Sequence, residues 1–281
     1  MTRTSPRAVV WYSGIVLAAL CCFLIAGCGS ASTSSGEDPS DNGNQPFGTV
    51  PQTGQSHCWD QSGTLIDCAG TGHDGELQKG VAWPQLRFID NGDGTITDML
   101  TGLMWEKAPS GSSTDWEGAL TRIGTINGIE LGGHTDWKLP NRFELMTLLN
   151  CGYTAGWNDE WLIDQGFSSI GTGFWSSSTR VAATDEKWWS AIGLDSRVYA
   201  SSQDLTYYTI GVRTETVGAV AVPRTGQSDS YHEGDDGDIQ AGRVWPDPRF
   251  TDNGNNTIRD NLTGLIWEQS PENATTDWNG A

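Results

Sequence analysis

Few residues in this chain have the types and spacing that chemistry needs. Cys58 and Cys68 bracket Trp59 to Asp67, a short segment holding the turn Gln61-Ser62-Gly63. A local disulfide closing a small hairpin fits that spacing and an oxidising compartment. A metal site is the alternative, but His57 beside Cys58 has too few companions for it. Cys151 has no obvious mate, so a buried free thiol is expected there. A catalytic cysteine would also need a base or another neighbour that stabilises its thiolate. Asp90-Asn91-Gly92-Asp93-Gly94 looks like a calcium loop. An EF-hand, however, places oxygen ligands at every second residue with glycine sixth, and this run does not. His134 and Asp136 stand in a Gly-rich turn and read as structural. There is no HExxH, no GxSxG and no phosphate loop. The expectation is a protein that is not an enzyme, with no catalytic residue, no metal and no cofactor.

The amino terminus carries a different kind of chemistry. Arg3 and Arg7 form a positive start, and Ala8 to Gly27 is an apolar stretch interrupted by Ser13 and Gly14. It ends Leu24-Ile25-Ala26-Gly27-Cys28. A charged start, an apolar centre and small residues before a cut make a secretory signal. Small residues leading into a cysteine match the bacterial lipobox, so Cys28 is the expected lipidation site and residues 1–27 the signal peptide. An uncleaved anchor helix is the alternative, and the length only just permits it. Gly29 as the second residue of the mature chain points to the outer membrane. Residues 28–50 are Ser, Gly, Asp, Asn and Pro with almost no large apolar side chain, the composition of a flexible tether.

The chain has 281 residues, with 36 Gly, 14 Trp and 16 Lys+Arg against 35 Asp+Glu. Many glycines beside many tryptophans suggest tight turns around large aromatic anchors, not a helical bundle. Loss of the signal removes Arg3 and Arg7 and no acid, leaving 14 basic against 35 acidic residues, a formal −21. That charge opposes nucleic acid, an anionic bilayer surface and heavily sulfated glycans as partners.

The chain also repeats itself. Residues 87–119 and 249–281 align without a gap at an offset of 162, with 20 of 33 positions identical. Thr53-Gly54-Gln55-Ser56 recurs as Thr225-Gly226-Gln227-Ser228, and Trp83-Pro84 as Trp245-Pro246. Two copies of one module are implied. In the second copy Asn255 and Asn256 replace Asp93 and Gly94. Asn keeps a left-handed turn while the carboxylate is lost, which suits a β-hairpin turn rather than a cation. The second copy ends at Ala281 inside its first expected helix and reads as a fragment, with Leu262, Leu265, Ile266, Trp267 and Trp278 expected to be bare. The resulting division is 51–86 as an extension with the disulfide hairpin, 87–214 as the first domain, 215–248 as linker or extension of the second, and 249–281 as its start.

Within the first copy, Thr95–Asp98 and Leu103–Glu106 read as strands around Thr101-Gly102. Thr114 with Glu117 reads as a capping box, followed by a helix with Trp116, Ala119, Leu120, Ile123 and Ile126 on one face and Gly128 at its end. Leu131 to Pro140 reads as a turn and a short strand. Asn141 and Glu144 cap a second helix, with Phe143, Met146 and Leu149 on one edge of its buried face, Leu145 and Leu148 widening it, and Gly152 as stop. Phe174–Ser178, a hairpin over Lys187–Leu194 and Arg197–Ser201 turning at Asp195-Ser196, and Tyr207–Arg213 read as strands. The fold class is α+β: two helices on a small twisted antiparallel sheet, with many loops.

These blocks (RFIDNGDGTITDMLTGLMWEK, DWEGAL, GGHTDWKLPNRFELMTLL, FWSSS, YTIGVRT) resemble the Lcl C-terminal domain family, named for a Legionella collagen-like surface protein. The element order is similar, more distantly, to C-type lectin-like and formylglycine-generating-enzyme-like folds. Members often carry a cysteine pair at positions that are Ile123 and Thr214 here, which reads as an apolar replacement. The resemblance implies adhesion, and the family's named member is implicated in binding sulfated glycans; the charge of this chain argues against that ligand. A neutral glycan stacking on Trp157, Trp161, Trp188 or Trp189 is the candidate site. Trp157-Asn158-Asp159 matches a tripeptide of calcium-dependent lectins, but the usual companion motif is missing. The expected function is a lipid-anchored surface protein that binds an extracellular glycan or protein. The alternatives are a structural envelope repeat without a ligand and a formylglycine-generating-enzyme-like oxidase.

Overall fold

The computed structural model describes residues 50–109, 111–153, 158–191 and 197–271, with residues 189–191 by backbone only. Cys28, the signal, nearly all of the tether, Trp157, the Asp195-Ser196 turn and Trp278 lie outside the described residues, as does the side chain of Trp189.

The elements follow in chain order. β1 (Cys58–Trp59), β2 (Leu65–Ile66) and α1 (Asp74–Leu77) come first. β3 (Phe88–Asp90), β4 (Thr95–Asp98) and β5 (Leu103–Glu106) precede α2 (Trp116–Gly128), α3 (Arg142–Met146) and α4 (Asn158–Asp164). β6 (Phe174–Thr179), β7 (Glu186–Ala191), β8 (Arg197–Ser202) and β9 (Val212–Thr214) complete the first copy. α5 (Asp236–Ile239), β10 (Phe250–Asp252), β11 (Thr257–Asp260) and β12 (Ile266–Glu268) belong to the second. Helices and small antiparallel sheets coexist, so the α+β expectation holds.

The central sheet has the order β3-β4-β5-β9, all antiparallel. Alternation along β5 decides how it is covered, because neighbouring strand residues point to opposite faces. Leu103 and Trp105 join Phe88, Ile96 and Val212 in a core with Leu145 and Leu148 near α3, Trp161 and Leu162 of α4, and Phe174 of β6. Met104 points the other way and meets Trp116, Ala119, Ile123 and Ile126 of α2, together with Trp137 and Trp175. The two expected helices therefore sit on opposite faces of the sheet rather than sharing one. A second sheet, β6-β7-β8, stands beside them.

Local sequence accounts for most element ends, with corrections. The N-cap of α2 is Asp115, whose side chain accepts from the Gly118 N–H at 2.8 Å, and not Thr114. Thr114 instead exchanges backbone hydrogen bonds with Tyr207. Asn141 and Glu144 do form the capping box of α3. That helix stops at Met146, well before Gly152. Leu145 is its buried apolar residue and Leu148, just past its end, is buried as well, while Met146 is exposed. Cys151 is exposed, not buried. Ile123 is buried and Thr214 exposed, so the expected apolar replacement fits the first position and not the second.

The Asp90–Gly94 run is the hairpin turn between β3 and β4. Gly94 has φ +91° and its counterpart Asn256 +63°, the left-handed conformation that both residue types tolerate. Cys58 and Cys68 are disulfide-bonded and close the β1–β2 hairpin.

The repeat extends further back than the 33-residue block. Pro51 pairs with Val81, and Pro223 with Arg243, through single parallel bridges. Trp83 donates to the Gln52 carbonyl and Trp245 to the Arg224 carbonyl, both at 2.8 Å. Thr53 bonds Asp74 as Thr225 bonds Asp236. Each module thus opens with a small cap, residues 51–83 and 223–245. The first cap is ten residues longer, and the excess is the disulfide hairpin.

Candidate functional site

Of the four tryptophans proposed from sequence, Trp161 and Trp188 have described side chains, one in the core and one lining a cleft. Trp157 and the Trp189 side chain lie outside the described residues. Trp161 is 7% exposed and packs in the core against Trp83 and Phe88, with ring centroids at 5.6 and 5.8 Å. It sits on α4, a helix to which sequence reasoning assigned no element, and its ring is turned inward there. It is a core side chain and not a ligand platform. Asn158, the middle of the lectin-like tripeptide, bridges the chain instead: its side chain accepts from the Asn150 N–H at 2.7 Å and donates to the Asn150 carbonyl at 3.2 Å.

Trp188 remains, and it lines a cleft of about 290 Å³. β7 carries it, and β6 sets the floor. The Ser176 hydroxyl donates to the Trp188 carbonyl at 2.8 Å and the Ser177 N–H to the Pro140 carbonyl at 2.8 Å. These bonds lock β6 between β7 and the start of α3. The Arg142 guanidinium lies over the Trp188 ring, 4.4 Å from its centroid. The Arg142 N–H donates to the Ser178 hydroxyl at 3.0 Å. Ser178, Thr179, Arg180 and Val181 continue the floor.

The opposite wall, Thr225 to Gln227, comes from the second cap. The Ser178 and Thr225 hydroxyls both donate to Asp236 Oδ2 at 2.6 Å, and the Gln227 side-chain carbonyl accepts from the Thr179 N–H at 2.8 Å. Beside them, Asn141 donates to the Ala241 carbonyl at 3.2 Å. Lys187 is buried, with its ammonium 4.5 Å from the Trp116 ring centroid and 5.5 Å from that of Tyr231. Burial pushes Asp236 up and Lys187 down in pKa. Both shifts are what removal from water does to a charged form.

The electrostatics of the cleft are uneven. Arg180 is neutralised by Glu186 at 2.6 Å. No acceptor meets the Arg142 guanidinium among the described residues, and its buried Nε has no hydrogen-bond partner. Thr179 Oγ1 is likewise buried and unpaired. Buried polar atoms usually have partners, so two orphans in one cleft stand out. Desolvation lowers the Arg142 pKa, with Asp236 only partly offsetting it.

The other flagged groups are structural. Asp136 accepts from Arg213 at 2.6 Å, a bond that holds its pKa below the usual carboxylate range. Among the described residues no group of three or more His, Cys, Asp or Glu could hold a metal ion. No described helix is long and apolar enough to cross a membrane.

Residues 94–213 match the model of the Lcl C-terminal domain family. The chain carries an Lcl C-terminal domain. No curated protein and no solved structure matches the chain. The Lcl C-terminal domain contains Arg142, Ser178, Thr179 and Trp188, whereas Thr225 and Gln227 lie beyond it. One wall of the cleft is therefore supplied by the next cap. Sequence reasoning found Trp188 and missed Arg142, Thr179 and the cap wall. The recurrence of Thr53-Gly54-Gln55 as Thr225-Gly226-Gln227 was the available signal, but it marks a repeated turn and does not reveal which surface the second copy lies on.

Proposed function

We propose that the protein is a non-catalytic binding module, exported as a lipoprotein through Cys28 and displayed at the cell surface of the outer membrane. Its ligand, a glycan or a protein segment, enters the cleft between the Lcl C-terminal domain and the second cap. The observation that carries this reading is the Arg142–Trp188 pair: a cation stacked on an aromatic ring in a cleft, with polar atoms left unpaired. The lipobox supports the anchor. Two helices flanking a small sheet, followed by a serine-rich strand and a hairpin, support a C-type lectin-like arrangement. Partial desolvation of the thiol and the Asp74 carboxylate near it push Cys151 up in pKa, which makes it a poor nucleophile and weighs against the oxidase reading.

A glycan array probed with the full chain, followed by titration of any hit, tests the proposal. Saturable binding lost in Trp188→Ala is the expected result. The 87–214 segment alone lacks the Thr225–Gln227 wall and should bind more weakly. Binding unchanged in Trp188→Ala would move the site elsewhere. The structural-repeat reading has its own support in the hydrogen bonds that seat the second cap on β6. Absence of any saturable ligand together with an intact fold would favour it.

A further inference from the structure

We infer that the cleft recognises a carboxylate-bearing sugar, held as a single ring with its acid group on Arg142. This rests on the binding reading above and names the ligand class. The chain bears a formal −19. In such a protein a cation can find an internal carboxylate easily, and Arg87, Lys107, Arg122, Lys138, Arg180, Arg213 and Arg249 each do so. Arg142 does not, although it lies close enough to Asp236 to feel its field. That aspartate is committed to Ser178 and Thr225, and burial favours its neutral form. The guanidinium is thus a positive charge in a partly desolvated cleft with no anion in contact. A planar fork in that setting pairs best with a carboxylate, through two parallel charge-assisted hydrogen bonds.

The rest of the cleft narrows the class. Trp188 and Val181 supply apolar wall, as a sugar ring needs for its C–H face. The Gln227 side-chain amide, which accepts from the Thr179 N–H and donates to the Asp229 carbonyl, keeps one N–H on that wall for a polar group. The volume of about 290 Å³ is at the lower limit of ligand clefts, which suits one ring rather than an extended chain. The two N–H groups of one guanidinium edge match the two oxygens of a carboxylate. A sulfate would leave a third oxygen facing an acidic molecule, and a polysulfated chain would be repelled as a whole.

The test is titration of the full chain, in detergent, with glucuronate, galacturonate and N-acetylneuraminate, against glucose and galactose and against glucose 6-sulfate. An acidic sugar should bind about tenfold or more tightly than its neutral parent and than the sulfate ester, the scale of one charge-assisted contact. Arg142→Gln should erase that difference, so that acidic sugars bind the variant no more tightly than their neutral parents measured on the same variant. Because Arg142→Gln could disturb α3, Arg142→Lys is measured beside it; it keeps the charge and loses the fork, and should fall between the two. Equal affinity for acidic and neutral sugars would overturn the carboxylate inference and leave the binding reading standing. A sulfate ester binding as tightly as the uronates would overturn it too. No saturable binding of any of these sugars, with the thermal transition intact, would overturn the carboxylate inference and count against the cleft as a sugar site altogether.

Discussion

The two copies of the module share most of a 33-residue sequence and the same hairpin geometry, yet they differ sharply in burial. In the first copy Asp98 accepts from Arg87 at 3.1 and 3.0 Å, from the Leu100 N–H at 2.9 Å and from Thr101 at 3.0 Å. In the second, Asp260 repeats every partner: Arg249 at 3.4 Å, the Leu262 N–H at 3.0 Å and Thr263 at 2.9 Å. The registers of β3-β4-β5 and β10-β11-β12 correspond. Even the arginine stacking is kept, Arg87 over Trp83 at 4.4 Å and Arg249 over Trp245 at 4.1 Å. Trp105, however, is 0% exposed, and its counterpart Trp267 is 55% exposed. Contacts within the hairpin are locally encoded and survive in both copies. The first copy's tryptophan is covered by residues that lie far along the chain, such as Leu145, Trp161 and Ile210.

The largest test of that contrast is truncation of the two tryptophans. Trp105→Ala should cost about 3–5 kcal/mol, the usual loss for emptying a packed aromatic site. Trp267→Ala should cost no more than about 0.5 kcal/mol, as surface changes do. Chemical denaturation of both variants, followed by circular dichroism, reads the difference. Equal costs would mean that the second sheet is covered in solution.

The arginines give the next effect. Arg87 and Asp98 are 4% and 0% exposed, so Arg87→Met strands a buried carboxylate and should cost about 3 kcal/mol. Arg249 is 27% exposed and its bonds to Asp260 are longer, so Arg249→Met should cost about 1 kcal/mol or less. Thermal unfolding of the two variants side by side checks the ordering, and a reversed order would show that exposure does not set the worth of this pair.

The same division explains what could be read from sequence. The hairpins, both helix starts within a residue or so, the disulfide and the left-handed turn were legible because each rests on contacts between near neighbours. α4 was not, since Asn158 and Trp161 mean little until Leu145 and Phe88 are placed beside them. The opposite facing of α2 and α3 depends on which side of β5 each helix reaches, and periodicity alone does not specify that. The cleft was half legible. Trp188 could be singled out as an aromatic near a loop, while Arg142 looked like an ordinary residue inside a capping box. The wall from Thr225 to Gln227 exists because the second cap lies on β6, a docking that no short motif announces.

The smallest effect isolates the turn itself. Gly94 and Asn256 occupy the same hairpin position at φ +91° and +63°. A β-carbon at Gly94 would also lie 3.3 Å from Leu131 Cδ1, close enough that the leucine must give. Gly94→Ala therefore combines a left-handed alanine with a tight contact and should cost about 1–2 kcal/mol. Asn256→Gly removes a mild preference and should change stability by no more than about 0.5 kcal/mol. Amide exchange along β3–β4 and β10–β11 measures each hairpin separately. If both turns serve as hinges of equal local ladders, Gly94→Ala speeds exchange in β3–β4 alone and Asn256→Gly leaves β10–β11 protected as before. Exchange in β10–β11 that rises sharply in Asn256→Gly would instead mean that the asparagine side chain holds the turn, and that the two copies reach one backbone by different means.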